Sequence, residues 1–223
     1  MPGSLIIAID GPSGAGKSTL GMRLARELGL LYIDTGSMYR AVALAVMEST
    51  INETDDVAVG SLAGRINIDL AGEPDSLSVM LDGADVSDRI RDEDVTNMSS
   101  IISTIPAVRH AMVERQREIG KRGAVMNGRD IGTVVFPNAD VKFFLTAVIK
   151  ERAERRLAED REHNPDATYE QTLAEIMERD RRDTTREDSP LVAAEDAIVV
   201  DSTGMPIEDV FQKMMTIIHE RTE

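Results

Sequence analysis

Apolar residues follow two rhythms along this chain. Leu5-Ile6-Ile7-Ala8-Ile9 is a continuous apolar run ahead of a glycine-rich segment, which predicts a strand buried on both faces. From Ser18 to Leu28 the apolar positions recur at helical spacing and stop at Gly29, a residue suited to ending a helix. Leu30–Ile33 predicts a second strand and Ser37–Met47 a second, mostly buried helix. The same rhythm returns late in the chain, with strands at 124–126, 141–145 and 197–200 and helices at 150–160, 169–186 and 206–220. Five buried strands alternating with helices predict an α/β chain with a doubly wound parallel sheet.

The middle of the chain differs. Ile66–Leu70, Leu77–Leu81 and Ala84–Val86 are short alternating runs, separated by Gly72-Glu73-Pro74-Asp75 and by Asp82-Gly83. They predict a small antiparallel sheet. Residues 60–105 are therefore expected to be an insert in a parent domain formed by 1–59 and 106–223. Pro106 then opens a helix to about Lys121.

Composition narrows the function. The 223 residues suit one α/β domain carrying an insert. With 42% hydrophobic and 29% charged residues the chain is globular, not disordered. Aromatics are only 3% and Trp is absent, so rows of stacking side chains for single-stranded nucleic acid are missing. A net charge of −15 repels long polyanions and argues against a nucleic-acid partner. A local cationic cleft can still hold a small anion. Without Cys there is no disulfide or thiolate metal site, and His110, His163 and His219 are too scattered to form a ligand cluster. No apolar stretch matches a membrane span, and the first residues lack a basic n-region. A cytoplasmic protein without a membrane partner is expected.

The chemistry starts at Gly11-Pro12-Ser13-Gly14-Ala15-Gly16-Lys17-Ser18, followed by Thr19. This fits G-x-x-x-x-G-K-[ST] in full, between a predicted strand and a predicted helix. Its glycines let successive backbone N–H groups point inward at a phosphate, and the helix N-terminus adds partial positive charge. Lys17 supplies a point charge for the β- and γ-phosphates of ATP, and Ser18 a hydroxyl for Mg²⁺. The motif alone means nucleotide binding. The base-reading Asn-Lys-x-Asp of a Ras-like GTPase is missing, since no Asn is followed by Lys.

Phosphoryl transfer depends on positioning and charge neutralisation, so the arginines matter. Of 25 basic residues 20 are Arg, eight of them between 151 and 188: Arg152, Arg155, Arg156, Arg161, Arg179, Arg181, Arg182 and Arg186. Arg grips phosphate oxygens in a fixed fork. Interleaved acidic residues equally suit a solvated helix face, and that is the expectation for Arg152, Arg161 and Arg182.

Four blocks carry a more specific likeness: Ile9 to Thr19, Asp34 to Arg40, Gly128 to Pro137 (GRDIGTVVFP), and Glu178 to Leu191. On these the chain resembles the bacterial cytidylate kinases of the nucleoside monophosphate kinase group. Asn127 departs from the acidic residue that family often shows before Gly-Arg-Asp. The resemblance implies transfer of the ATP γ-phosphoryl group to CMP or dCMP, a monomer, and residues 60–105 as the monophosphate-binding insert. It assigns Ser100, Arg109 and Asp130 to the cytosine ring, and Arg179 and Asp183 to the ribose hydroxyls. Arg40, Arg129 and Arg186 would grip the acceptor phosphate. Arg155 and Arg156 would belong to a lid, about 151–188, that closes over ATP. Duller readings stand beside these: Arg129 and Asp130 could pair as turn neighbours, Asp183 could pair with Arg179, and Tyr39 reads as packing. Another small-molecule kinase, such as an adenylate or shikimate kinase, is the nearest rival. A non-catalytic ATP-binding regulator is the rival from another class.

Overall fold

The computed structural model describes residues 5–72, 77–162 and 164–222. Strands β1 (Ile6–Asp10), β2 (Leu31–Asp34), β6 (Ala124–Gly128), β7 (Val141–Thr146) and β8 (Ile198–Asp201) form one parallel sheet in the order β2-β6-β1-β7-β8. Its central strand β1 pairs Ile6 to Asp10 with Ala124 to Gly128 on one side, and Ile7 to Asp10 with Val141 to Phe144 on the other. The α/β expectation holds. The expectation of five strands buried throughout does not. β2 and β8 are edge strands, so Leu31 and Val199 each turn one face to solvent, Val199 at 58% exposure.

Alternation along the sheet divides the core in two. Ile7 and Ile9 pack with α1 (Lys17–Leu28) and α8 (Ile207–Thr222), through residues such as Leu20, Leu24, Val210 and Met214. Ala8 faces the other side, where α2 (Thr35–Glu48) and α5 (Pro106–Gly120) contribute Met38, Val42, Val108 and Met112. Gly29 ends α1 in the left-handed conformation at φ 63°, and Asp34 caps α2 by accepting the Gly36 N–H at 3.0 Å.

The middle segment forms the expected antiparallel sheet, β3 (Ile68–Ala71), β4 (Ser78–Leu81) and β5 (Ala84–Asp85). The Asp82-Gly83 hairpin has positive φ at both residues, 49° and 86°. The other expected turn, at Glu73, Pro74 and Asp75, lies outside the described residues, as does His163. Two helices went unpredicted: α3 (Asp56–Arg65) and α4 (Glu93–Ile102). Glycines and Val weaken the first pattern, Thr, Asn and Ser the second, and all are poor helix formers. Residue 60 falls inside α3, and the segment's Ile68, Val79, Ile90 and Val95 share the core beneath α2. Helices α6 (Ile149–Asp160) and α7 (Tyr169–Thr185) follow β7, the second opened by a capping box between Thr168 and Gln171. No described helix is long and apolar enough to cross a membrane.

Candidate active site

The phosphate loop leaves the C-terminal end of β1 and turns sharply into α1. Gly11 has φ 147° and lies against β7, where a Cβ would stand 2.0 Å from the Leu145 carbonyl oxygen. Gly14, at φ 72°, would bring a Cβ to 2.5 Å from the Arg152 carbonyl. Neither position tolerates a side chain. Lys17 is buried and donates to the Pro12 carbonyl at 2.7 Å, which folds its ammonium back over the loop. Burial, followed by Arg129 and Arg179, holds its pKa well below the ordinary lysine value. A polyphosphate in the loop would oppose that shift. Ser18 and Thr19 are exposed, and Ser18 Oγ accepts from Asn127 Nδ2 at 3.2 Å.

The oxygen donors beside Ser18 fit Mg²⁺. The Asp34 carboxylate stands 3.5 Å from Asn127 Nδ2, and Asn127 Oδ1 is buried with no hydrogen-bond partner. Mg²⁺ takes oxygen ligands and usually leans on one or two protein groups plus the nucleotide phosphates. Among the described residues there is no His, Asp or Glu cluster that would hold a metal by itself.

On the other side the sheet ends gather the arginines. Arg129 follows β6 and donates from Nε to Asp183 of α7 at 2.7 Å. Arg186, just past α7, donates to the Ser189 carbonyl at 2.8 Å and to Asp183 at 3.5 Å. Burial works against the Asp183 charge, but Arg129, Arg179 and Arg186 hold its pKa below the usual carboxylate value. Arg179 itself donates no hydrogen bond to a described residue. Burial and then Arg129 lower its pKa to about 10. Asp183 and Arg179, which could pair by their spacing, do act on each other electrostatically, but the direct ion pair of Asp183 is with Arg129, brought in by the backbone after β6. Arg129 and Asp130 likewise do not pair with each other.

Asp130 instead binds Arg109 of α5, Nη2 to Oδ2 at 2.5 Å, with Arg109 only 1% exposed. Arg109 also donates to the Ser103 carbonyl at 3.1 Å and lies 5.5 Å from the centre of the Tyr39 ring. Asp130 and Tyr39 together keep the guanidinium charged in spite of its burial. Tyr39 packs as expected, yet its hydroxyl is buried without a partner, as are Arg109 Nε, Arg186 Nη2 and Arg40 Nε. Arg40 is held by Asp34 at 3.2 Å and Ser37 at 2.7 Å. Of these donors, those of Tyr39, Arg109 and Arg186 come from three segments and lie within electrostatic reach of one another, an arrangement suited to an anionic, acceptor-rich molecule.

Ser100 sits buried on α4 and accepts from Arg182 of α7 at 3.3 Å. Both line a cleft of about 250 Å³ between α4 and α7, with Ser13, Arg156, Glu178 and Arg179. Arg182 is thus no purely solvated residue. Arg152 departs further from expectation: it is buried, donating to the Ser13 carbonyl at 2.9 Å and to Asp180 at 2.7 Å. Asp180 in turn accepts from the Ser13 N–H at 3.4 Å, so α6 and α7 are both tied to the phosphate loop. An Arg among helix carboxylates looks the same in sequence whichever way its face turns, so no local signal marked Arg152. Arg155 donates to Ser202 beyond β8, at 2.9 and 3.0 Å, and Arg156 pairs with Asp160 at 2.9 Å. Arg161 stays exposed.

The Cytidylate kinase family model matches residues 7–220. A cytidylate kinase from Desulforamulus reducens is 51% identical over 96% of both chains, and one from Bacillus velezensis 43% identical over the full length of both. A crystal structure of an uncharacterized protein from Eubacterium ventriosum covers 97% of this chain and 99% of its own, at TM-score 0.52 and 12% identity, a likeness of fold alone. With the model running from the first core strand into the last helix, and relatives this similar along their whole length, the chain belongs to the cytidylate kinase family.

Proposed function

We propose that this chain transfers the γ-phosphoryl group of ATP to CMP or dCMP, giving ADP and CDP or dCDP. The observation that carries the cytosine reading is the buried Arg109–Asp130 pair. Asp130 can accept from an exocyclic amine. Uracil offers a carbonyl at that place, and such a mismatch costs about 1–3 kcal/mol. Ser100 and Arg109 would complete the base contacts, Arg179 and Asp183 would take the ribose, and Arg40, Arg129 and Arg186 the acceptor phosphate. Residues 60–105 serve as the monophosphate-binding region and 151–188 as the lid, with Arg155 and Arg156 turning toward ATP on closure. The same reading makes the protein a cytoplasmic monomer with a small-molecule partner.

Lys17 and the backbone of Gly11 to Ser18 hold the β- and γ-phosphates, while Thr19 extends that contact into the first turn of α1. Mg²⁺, held by Ser18 with Asn127 and Asp34 near it, supplies charge neutralisation when bound. The acceptor phosphate has its second pKa near ~6 and needs no general base to attack. The arginines offset the repulsion of two anions, and closure of the lid keeps water out. Measuring ADP release against CMP, dCMP, UMP, AMP, GMP and shikimate tests the reading. Turnover led by CMP and dCMP is expected. Turnover led by another acceptor overturns the base assignment, and ATP binding without acceptor-dependent turnover favours the regulator.

A further inference from the structure

We propose that Asp10 is a positioning residue, fixing the loop that carries Arg129 and Asp130 at a set distance from the phosphate loop. Asp10 is the last residue of β1, opposite Gly128 of β6 and Phe144 of β7, and is 4% exposed. Its carboxylate accepts two backbone N–H groups from a segment more than a hundred residues away: Ile131 at 2.8 Å and Gly132 at 2.7 Å. These begin the single π-turn Ile131–Val135, whose own N-cap residue, Asp130, makes no capping bond. Its carboxylate is engaged with Arg109. Asp10 thus supplies from the central strand the cap that Asp130 cannot, and frees Asp130 to face the base.

The peptide after Asp10 is Gly11, the start of the phosphate loop. One side chain therefore joins the backbone of the donor loop to the backbone of the acceptor loop. Lys17 of α1, Asp130 and Arg129 are charged groups around it, and the Lys142 side chain of β7 packs on Gly132 on the same side as the Asp10 carboxylate. Burial, against the two backbone bonds, pushes its pKa up to about 6. The inference rests on the reading of Arg129 and Asp130 as acceptor-binding groups. It predicts a split between donor and acceptor that no general loss of packing would produce.

Asp10→Asn keeps size and shape but turns one N–H acceptor into a donor, and Asp10→Ala removes both bonds. Expected for Asp10→Asn is ATP affinity by calorimetry within about twofold of wild type, while kcat/KM for CMP falls ~10- to 100-fold through misplacement of reacting groups. Asp10→Ala should extend the same split. Equal losses of ATP affinity and CMP turnover, or no loss of either, would overturn the proposal. A second readout needs neither turnover nor a stable variant. In wild-type protein native-state hydrogen exchange should protect the Ile131 and Gly132 amides together, and fast exchange of either would sink the idea. If the acceptor panel names another acceptor, the donor–acceptor split is read with that molecule, so failure of the base assignment stays distinct from failure of this one.

Discussion

The phosphate loop and the arginine cluster both handle anions, yet the chain builds them differently. The loop is eight consecutive residues whose backbone, with Lys17, is the binding surface. Lys17 is satisfied within the loop by Pro12, and only the Ser13 peptide reaches for distant partners, Arg152 and Asp180. The acceptor cluster is made of side chains from α2, α5, the segment after β6 and the end of α7. Asp34, Asp130 and Asp183 hold its arginines in place, and several N–H groups are left over. A backbone site keeps its shape through local conformation. A side-chain site keeps it only while buried charges stay paired, since an unpaired buried charge is costly.

The largest effect should come from breaking one such pair. Asp130→Ala leaves Arg109 buried and unpaired and should cost about 3–5 kcal/mol by chemical denaturation. The double variant Arg109→Met/Asp130→Leu should regain most of that stability and none of the CMP turnover. A single variant as stable as wild type would break the contrast. On the donor side, Lys17→Ala should lower turnover about 10²–10³-fold, as loss of one transition-state donor does. Its melting temperature should hold or rise, because burial already disfavours the lysine charge.

Acidity separates the groups next. Asp34, like Asp183, has a lowered pKa: burial opposes its charge, but Arg40, Ser37 and Gly36 outweigh it. Stability from these two is present above pH 3.8 and lost as pH falls below it. Asp10 runs the other way. Its contribution is full below pH 3.8 and lost as pH rises through about 6, at about 1.4 kcal/mol per pH unit. Urea titrations should show Asp10→Asn removing the decline between those values, and Asp183→Asn removing part of the loss in stronger acid. At the small end, Arg152→Ala should raise the KM for ATP by loosening the Ser13 peptide. Arg181→Ala, which breaks only an exposed pair with Glu178, should leave kinetics and melting temperature unchanged.

Much of this was legible in the chain. The apolar runs located all five parallel strands and the three antiparallel ones, and Asp82-Gly83 announced its hairpin. Two helices escaped because their residues are weak helix formers stabilised by burial, Val95 and Ile102 in α4 and Val59 and Ala63 in α3. The resemblance selected Arg109, Asp130, Arg129, Asp183 and Arg186, which the structure gathers near one another, but it did not say which carboxylate holds which arginine. Arg152 escaped because its burial depends on which side of α6 meets the phosphate loop.

By itself the sequence determined whatever depends on near neighbours: the strand and helix periods, the glycines the phosphate loop requires, and Lys17 and Ser18 at its end. Only the tertiary structure decided the partners of the buried charges, Arg109 with Asp130, Arg129 with Asp183, Arg152 with Ser13 and Asp180, and Asp10 with the Ile131 and Gly132 amides. The reason is physical. Local conformation is set over a few residues, whereas a buried ion pair or hydrogen bond forms only where packing of distant segments brings the groups together and removes the water between them.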